Sequence, residues 1–261
     1  MFNRLKRIIL NCIYKEASIN AINLSAAITN KEAFSDIKNI NYGKAIALCG
    51  GGPSLENYKP INNCIHVALN RALLNKNISF DWFIADDWEG IDFFRDELIR
   101  FDGLKFFGHQ QVSPDRQIPE SFRIKCNARR YYTDIYRVED GFKSKLVCDI
   151  DKMAIGNMPN IALSAMQIVL FTNPSIIYLV GCDASQGHFV QPKELDKERI
   201  AEQEKNLKKL VSGSVVLDMW RDIKAFAEEY YPETRIISIN PVGLKGIFED
   251  VYQEGYKENK N

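Results

Sequence analysis

The sequence contains no CxxC pair and no cluster of histidine and cysteine at zinc-binding spacing, which excludes a structural zinc module. Its six cysteines (Cys12, Cys49, Cys64, Cys126, Cys148, Cys182) are scattered, several within apolar runs where a free thiol acts as a small hydrophobe. Reduced thiols in a cytoplasmic protein are the expectation. Net charge is also absent: 34 Lys and Arg balance 34 Asp and Glu. A general polyanion binder such as a duplex nucleic-acid protein is thereby excluded, and any anion site must be local. No run approaches the ~18 apolar residues that a membrane span needs. The start, MFNRLKRIILNCIYK, lacks the small-residue cleavage site of a signal peptide. There is no internal repeat and no low-complexity tract.

What is present is enough apolar material, 46% of 261 residues, to close one large α/β domain. Residues 1–42 read as an N-terminal helix and polar linker. Phe2, Leu5, Ile8, Ile9, Cys12 and Ile13 recur at helical spacing beside Arg4, Lys6, Arg7 and Lys15. Such a helix either packs on the domain or, through residues 1–15, makes peripheral contact with an anionic membrane at its inner face. Oligomerisation is left open. From residue 43 to 261, the β-branched and aromatic runs KAIALC, IHVALN, DWFIAD, KFFGH, FRIKCN, SIIYLVG and RIISIN predict strands. Helical patterns alternate with them at 89–101, 158–172, 194–212 and 216–230. This alternation predicts a three-layer, Rossmann-like α/β domain, a mostly parallel sheet with helices on both faces.

In an open parallel sheet, ligands bind beyond the carboxyl ends of the strands. Four predicted strand ends carry unusual residues. GGGPSL follows the first strand: Gly50, Gly51 and Gly52 permit close approach of a phosphate, Pro53 opens the next element and Ser54 can cap a helix. It is neither a Walker A loop nor a GxGxxG fingerprint, so it is a phosphate cradle or simply a tight corner. Asn70 ends the second strand, as a ligand contact or a turn residue. Asp86 and Asp87 end the third, where they suit ribose hydroxyls, a divalent metal or helix N-terminal charge. The fourth, LVGCDASQGHF, crowds Asp183, Ser185, Gln186 and His188 into one loop. Of three histidines only His188 lies in a Gly-flanked loop, which suits an acid or base and also a plain surface residue. Asn157 and Asn160 open an apolar helix, as caps or at an anion site.

The turn GGGPSL, the strand ending in Asn70, the run IIYLVGCD and the late DIKAFAEEY…RIISINP together resemble the bacterial sialyltransferases that use CMP-activated sialic acid. The skeleton is also similar to the motility-associated flagellin glycosyltransferases and to the 6-hydroxymethylpterin diphosphokinase-like domain, over roughly residues 44–250. The resemblance implies nucleotide binding by Gly50 to Ser54 and by Asn70. Asp86 stands where the sialyltransferases carry asparagine, and this matches the wider pterin-kinase-like group. The family's catalytic histidine shortly before the DIKA helix is absent from SGSVVLDMWRDIKA. Either His188, with Asp183 beside it, takes that part, or the chemistry differs.

The expected function is a glycosyltransferase moving a sugar, such as sialic acid or another nonulosonic acid, from a nucleotide-sugar donor to a glycan or lipid-linked acceptor of the bacterial surface. No cofactor is required in that reading; CMP is the nucleotide the resemblance implies. The alternatives are a pyrophosphokinase, with Mg²⁺ on Asp86, Asp87 and Asp183, and a non-catalytic nucleotide-binding module of a polysaccharide assembly complex.

Overall fold

Apolar runs bounded by glycine, asparagine and proline become nine strands: β1 (Ala45–Cys49), β2 (Cys64–Leu69), β3 (Trp82–Ala85), β4 (Leu104–Gln110), β5 (Arg129–Asp134), β6 (Ile155–Gly156), β7 (Ile176–Val180), β8 (Arg235–Ile239) and β9 (Glu249–Val251). The computed structural model describes residues 24–110, 117–134, 146–156, 160–184 and 215–256. Within them the strands form one sheet in the order β6-β5-β4-β3-β2-β1-β7-β8-β9. Every pairing is parallel. The α/β class expected from sequence is the one observed.

Alternation along each strand divides the core in two. Ile46 and Leu48 of β1 face one layer, Ala47 and Cys49 the other. The first layer is made by helix α1 (residues 24–34), α4 (Ala162–Phe171) and α5 (Val215–Tyr230). α4 is buried on every side, as a helix apolar but for the hydrogen-bonded Ser164 and Gln167 must be. α5 buries a single stripe, Val216, Met219, Trp220, Ile223, Phe226 and Ala227, as its sequence period predicts. Ala33, Phe34 and Ile37 join this same core, so the described segment just upstream of residue 43 is already packed on the sheet. The second layer holds α2 (Arg95–Arg100), α3 (Glu120–Lys125) and the 3-10 turns Pro53–Asn57, Asn70–Leu74 and Asp92–Phe94.

Two expectations need correction. FRIKCN, expected as a strand, lies in α3 and its C-terminal turn, and the strand is the charged run RRYYTD that follows. Pro119 starts α3, and Phe122 is the residue it buries. Glu120 pairs with Arg123 one turn along, and Asn127 at φ 50° ends the helix in the left-handed region. The arginines that masked β5 pair outward, Arg129 with Asp36 and Arg130 with Glu120. The helix expected at 89–101 is shorter, a 3-10 turn leading into α2, because the aromatic pair Phe93 and Phe94 packs edge to face and directs that turn. The helix expected at 194–212 lies outside the described residues.

Trp220 is 2% exposed and meets Phe248 edge to face at 5.9 Å. Trp220→Ala is expected to lower stability by about 3–5 kcal/mol, read as a fall in the urea midpoint.

Candidate functional site

All nine strands being parallel, their carboxyl ends share one edge of the sheet, and the order reverses between β1 and β7. Ligand sites in open parallel sheets gather at such a reversal, where successive connections leave on opposite faces. There the glycine turn after β1 is locked to the GCD segment after β7. The Gly50 amide donates to Val180 O at 2.7 Å and the Gly52 amide to Gly181 O at 2.8 Å. A Cβ on Gly50 would lie 2.6 Å from Gly181 O, and one on Gly52 would lie 2.6 Å from the Asp183 carboxyl. The glycines therefore serve close packing of two backbones, while Gly51 and Pro53 stay half-exposed at the mouth.

Ser54 does not cap a helix. Gly52 precedes the 3-10 turn, Pro53 opens it, and no side chain caps it. Instead the Ser54 amide donates to Asp183 Oδ2 at 2.8 Å and the Ser54 hydroxyl donates to Oδ1. Asp183 thus places the protein's own anion against the amide expected to meet a donor phosphate. Burial raises its pKa, and the two Ser54 bonds work against that rise.

At the end of β2, Asn70 turns at φ 46°, and its Oδ1 is buried with no hydrogen-bond partner among the described residues. The next residue, Arg71, is 6% exposed and stacks over the Phe93 ring at 5.4 Å. Burial pulls its pKa down to about 10, against the attraction of Asp87. Asp87 Oδ1 accepts the Gly90 amide at 2.7 Å. A Cβ on Gly90 would lie 3.2 Å from the Asn70 amide group, so Asn70, Asp87 and Gly90 converge. Arg95 lies over the neighbouring Trp88 at 4.6 Å.

Asp86 is sequestered on the other face, 4% exposed. Its Oδ1 accepts the hydroxyl of Tyr131 in β5, and its Oδ2 accepts the hydroxyl of Ser164 in α4 at 2.7 Å. Gly108 of β4 leaves the room: a Cβ there would stand 2.6 Å from Asp86 Oδ1. Burial drives the pKa up to about 7, although both hydroxyl donors oppose it and Asp87 adds to it. The carboxylate pair expected to hold ribose or metal is thus engaged internally, Asp86 by two hydroxyls and Asp87 by a backbone amide. Among the described residues no group of three or more His, Cys, Asp or Glu is placed to hold a metal ion.

Asn160 Oδ1 accepts the Ala162 amide at 2.7 Å, the cap of α4's first turn. Asn157, Ser185 and His188 lie outside the described residues. His66 is spent inside the sheet, its Nε2 3.1 Å from the Tyr58 hydroxyl. His109, next to the end of β4, has its ring against Tyr132 at 4.8 Å. Arg71, Tyr131 and Ser164 were missed in the sequence. Ser164 had a signal, a hydroxyl inside a helix that is apolar but for Ser164 and Gln167; Tyr131 had none, because its strand reads as charged. No described helix is long and apolar enough to cross a membrane.

No protein-family profile matches the sequence, and no curated protein matches it. Among solved structures, the chain is similar to the Campylobacter jejuni sialyltransferase CstII in complex with the substrate analogue CMP-3FNeuAc. That likeness has 14% identity and a TM-score of 0.47, covering 79% of this chain and 85% of that one. A CstII complex with CMP and a trisaccharide acceptor gives 14% identity and a TM-score of 0.45, covering 75% and 80%. The Maf glycosyltransferase of Magnetospirillum magneticum AMB-1 gives 11% and 0.46, covering 89% of this chain and 38% of that one. At this distance none of them assigns a residue here.

Two substitutions probe the site without a ligand. Gly52→Ala presses on the Asp183 carboxyl and on Gly181 O, so its melting temperature is expected to drop by several degrees, about 1–3 kcal/mol. Asp86→Asn tests the buried acid. The Asp86 pKa rises from an ordinary 3.8 to about 7 on folding, so the native state holds the proton more tightly. Its stability contribution is therefore fullest at low pH, is lost as pH climbs from about 4 to 7, and is flat above. The loss amounts to a few kcal/mol, on the order of 4. Asn carries no such loss, so the variant's melting temperature relative to the parent should climb over that window and stay high at pH 8.

Proposed function

We propose that the protein is a glycosyltransferase that moves a sugar, in first place a nonulosonic acid such as sialic acid, from a nucleotide-linked donor to a glycan or lipid-linked acceptor of the bacterial surface. The observation that carries this reading is the buried Oδ1 of Asn70 at the carboxyl edge of the sheet, which has no hydrogen-bond partner among the described residues. Buried acceptors in folded proteins find donors, and a nucleotide offers its ribose hydroxyls or an exocyclic amine. Arg71, next in the chain, supplies fixed positive charge for a phosphate that leaves with a growing negative charge. Gly51 and Pro53 form the wall nearest the switch point.

In this scheme the acceptor hydroxyl attacks the anomeric carbon as the bond to the nucleotide phosphate breaks, and the electron pair departs with the phosphate. His188 takes the hydroxyl proton, a task suited to an imidazole whose ordinary pKa is ~6.5. Asp183 braces the turn rather than transferring protons. A bound donor raises the melting temperature of the form it binds. The test is therefore a thermal-shift panel of CMP, of CMP-, CDP-, UDP- and GDP-linked sugars, and of ATP, each with and without Mg²⁺. A nucleotide sugar should stabilise the protein; stabilisation by ATP with Mg²⁺ alone would overturn the sugar-transfer reading. Asn70→Ala is expected to weaken the binding of that donor about tenfold, the worth of one hydrogen bond of ~1.4 kcal/mol. His188→Ala should keep the donor's affinity and lose most turnover in a transfer assay.

A further inference from the structure

The donor reading gives no task to the most deeply buried acid of the sheet edge. We propose that Asp86 is a positioning residue that ties the binding of the anionic donor to the uptake of one proton, through a hydrogen bond that Ser164 can hand over. The inference rests on the donor reading above.

Ser164 Oγ lies 2.7 Å from Asp86 Oδ2 and 3.1 Å from Ile161 O. With Asp86 ionised, both hydroxyls donate to the carboxylate. With Asp86 protonated, Oδ2–H donates to Ser164 Oγ and the serine's own proton turns to the Ile161 carbonyl, so every polar atom keeps a partner. No heavy atom has to move, and one arrangement of α4's first turn serves both states. Tyr131 continues to donate to Oδ1.

Among the described residues, the groups around Asp86 are Tyr131 from β5, Ser164 from α4, Gly108 from β4 and, next in the chain, Asp87. Phe34 of α1 lies against the Tyr131 ring. Asp87 is the one full charge among them, and it is negative. An anion arriving at Asn70 and Arg71 meets the Asp87 carboxylate on its own face and feels the Asp86 charge through the strand end, as Asp87 and Asp86 already feel each other. Protonating Asp86 removes that second part of the opposing charge, and by linkage the anion's arrival must favour protonation in return. Burial already holds the acid near its midpoint at neutrality, at about 7.

The experiment is titration calorimetry at pH 7 in buffers of different ionisation heat, with the nucleotide sugar that stabilises the protein most in the thermal-shift panel, on the parent and on Asp86→Asn. Asparagine can accept from Tyr131 and donate to Ser164, and so copies the protonated state. The parent should take up about half a proton more than the variant, and its affinity should fall about tenfold from pH 6 to pH 8 while the variant's stays level. Ser164→Ala removes a donor to the carboxylate and should move the midpoint of the parent's pH profile upward. Equal proton uptake by parent and variant, or a midpoint unmoved in Ser164→Ala, overturns the coupling while leaving the donor site standing. If no nucleotide sugar binds either form, the donor reading falls and takes the coupling with it. Should Asp86→Asn fail to fold, the Ser164→Ala profile decides alone.

Discussion

One carboxylate holds the centre of this molecule. Asp183 accepts both the amide and the hydroxyl of Ser54, and so fastens the segment leaving β1 to the segment leaving β7 at the place where the sheet's order reverses. The Gly243 amide donates to Asp183 O at 2.7 Å, which brings the connection after β8 to the same point. Three strand ends are thereby held by one residue. The glycines follow from this: a side chain at Gly50, Gly52, Gly181 or Gly243 would meet backbone or carboxyl oxygen at under 3 Å.

With the middle of the edge rigid, its two flanks can differ. On the layer of the 3-10 turns, Asn70, Arg71, Asp87 and Gly90 crowd together and leave the Asn70 Oδ1 without a donor among the described residues. On the helical layer, Asp86, Tyr131 and Ser164 satisfy one another. Adjacent residues of one strand end, Asp86 and Asp87, thus serve opposite faces because successive side chains of a strand alternate. In the proposed reading, one flank receives the donor and the other supports it.

Much of the fold was legible because its signals are local. Parallel strands buried on both faces read as apolar runs, and α5 displays its stripe in a period of 3.6. β5 was not legible, because Arg129 and Arg130 find their partners Asp36 and Glu120 only in the folded chain. In the site, the glycine turn, Asn70, Asp86 and Asp183 were visible as residues, and their grouping at one edge followed from the parallel sheet. Their bonding did not. That Ser54 meets Asp183 and Asp86 meets Ser164 depends on which strands become neighbours and on which way each side chain points, and local pattern carries neither.

The bond between Ser54 and Asp183 joins residues 129 positions apart. Strands β1 to β6 are laid down side by side in chain order, each against the one before. β7 must then return across that entire half to find β1. The search is a long loop closure, slow by its entropy, and the join of three strand ends at Asp183 exists only once it is complete. A chain still emerging from synthesis can build a well-packed half-sheet and yet leave the glycine turn after β1 untethered, so the closed edge arrives late and marks a molecule that has finished folding.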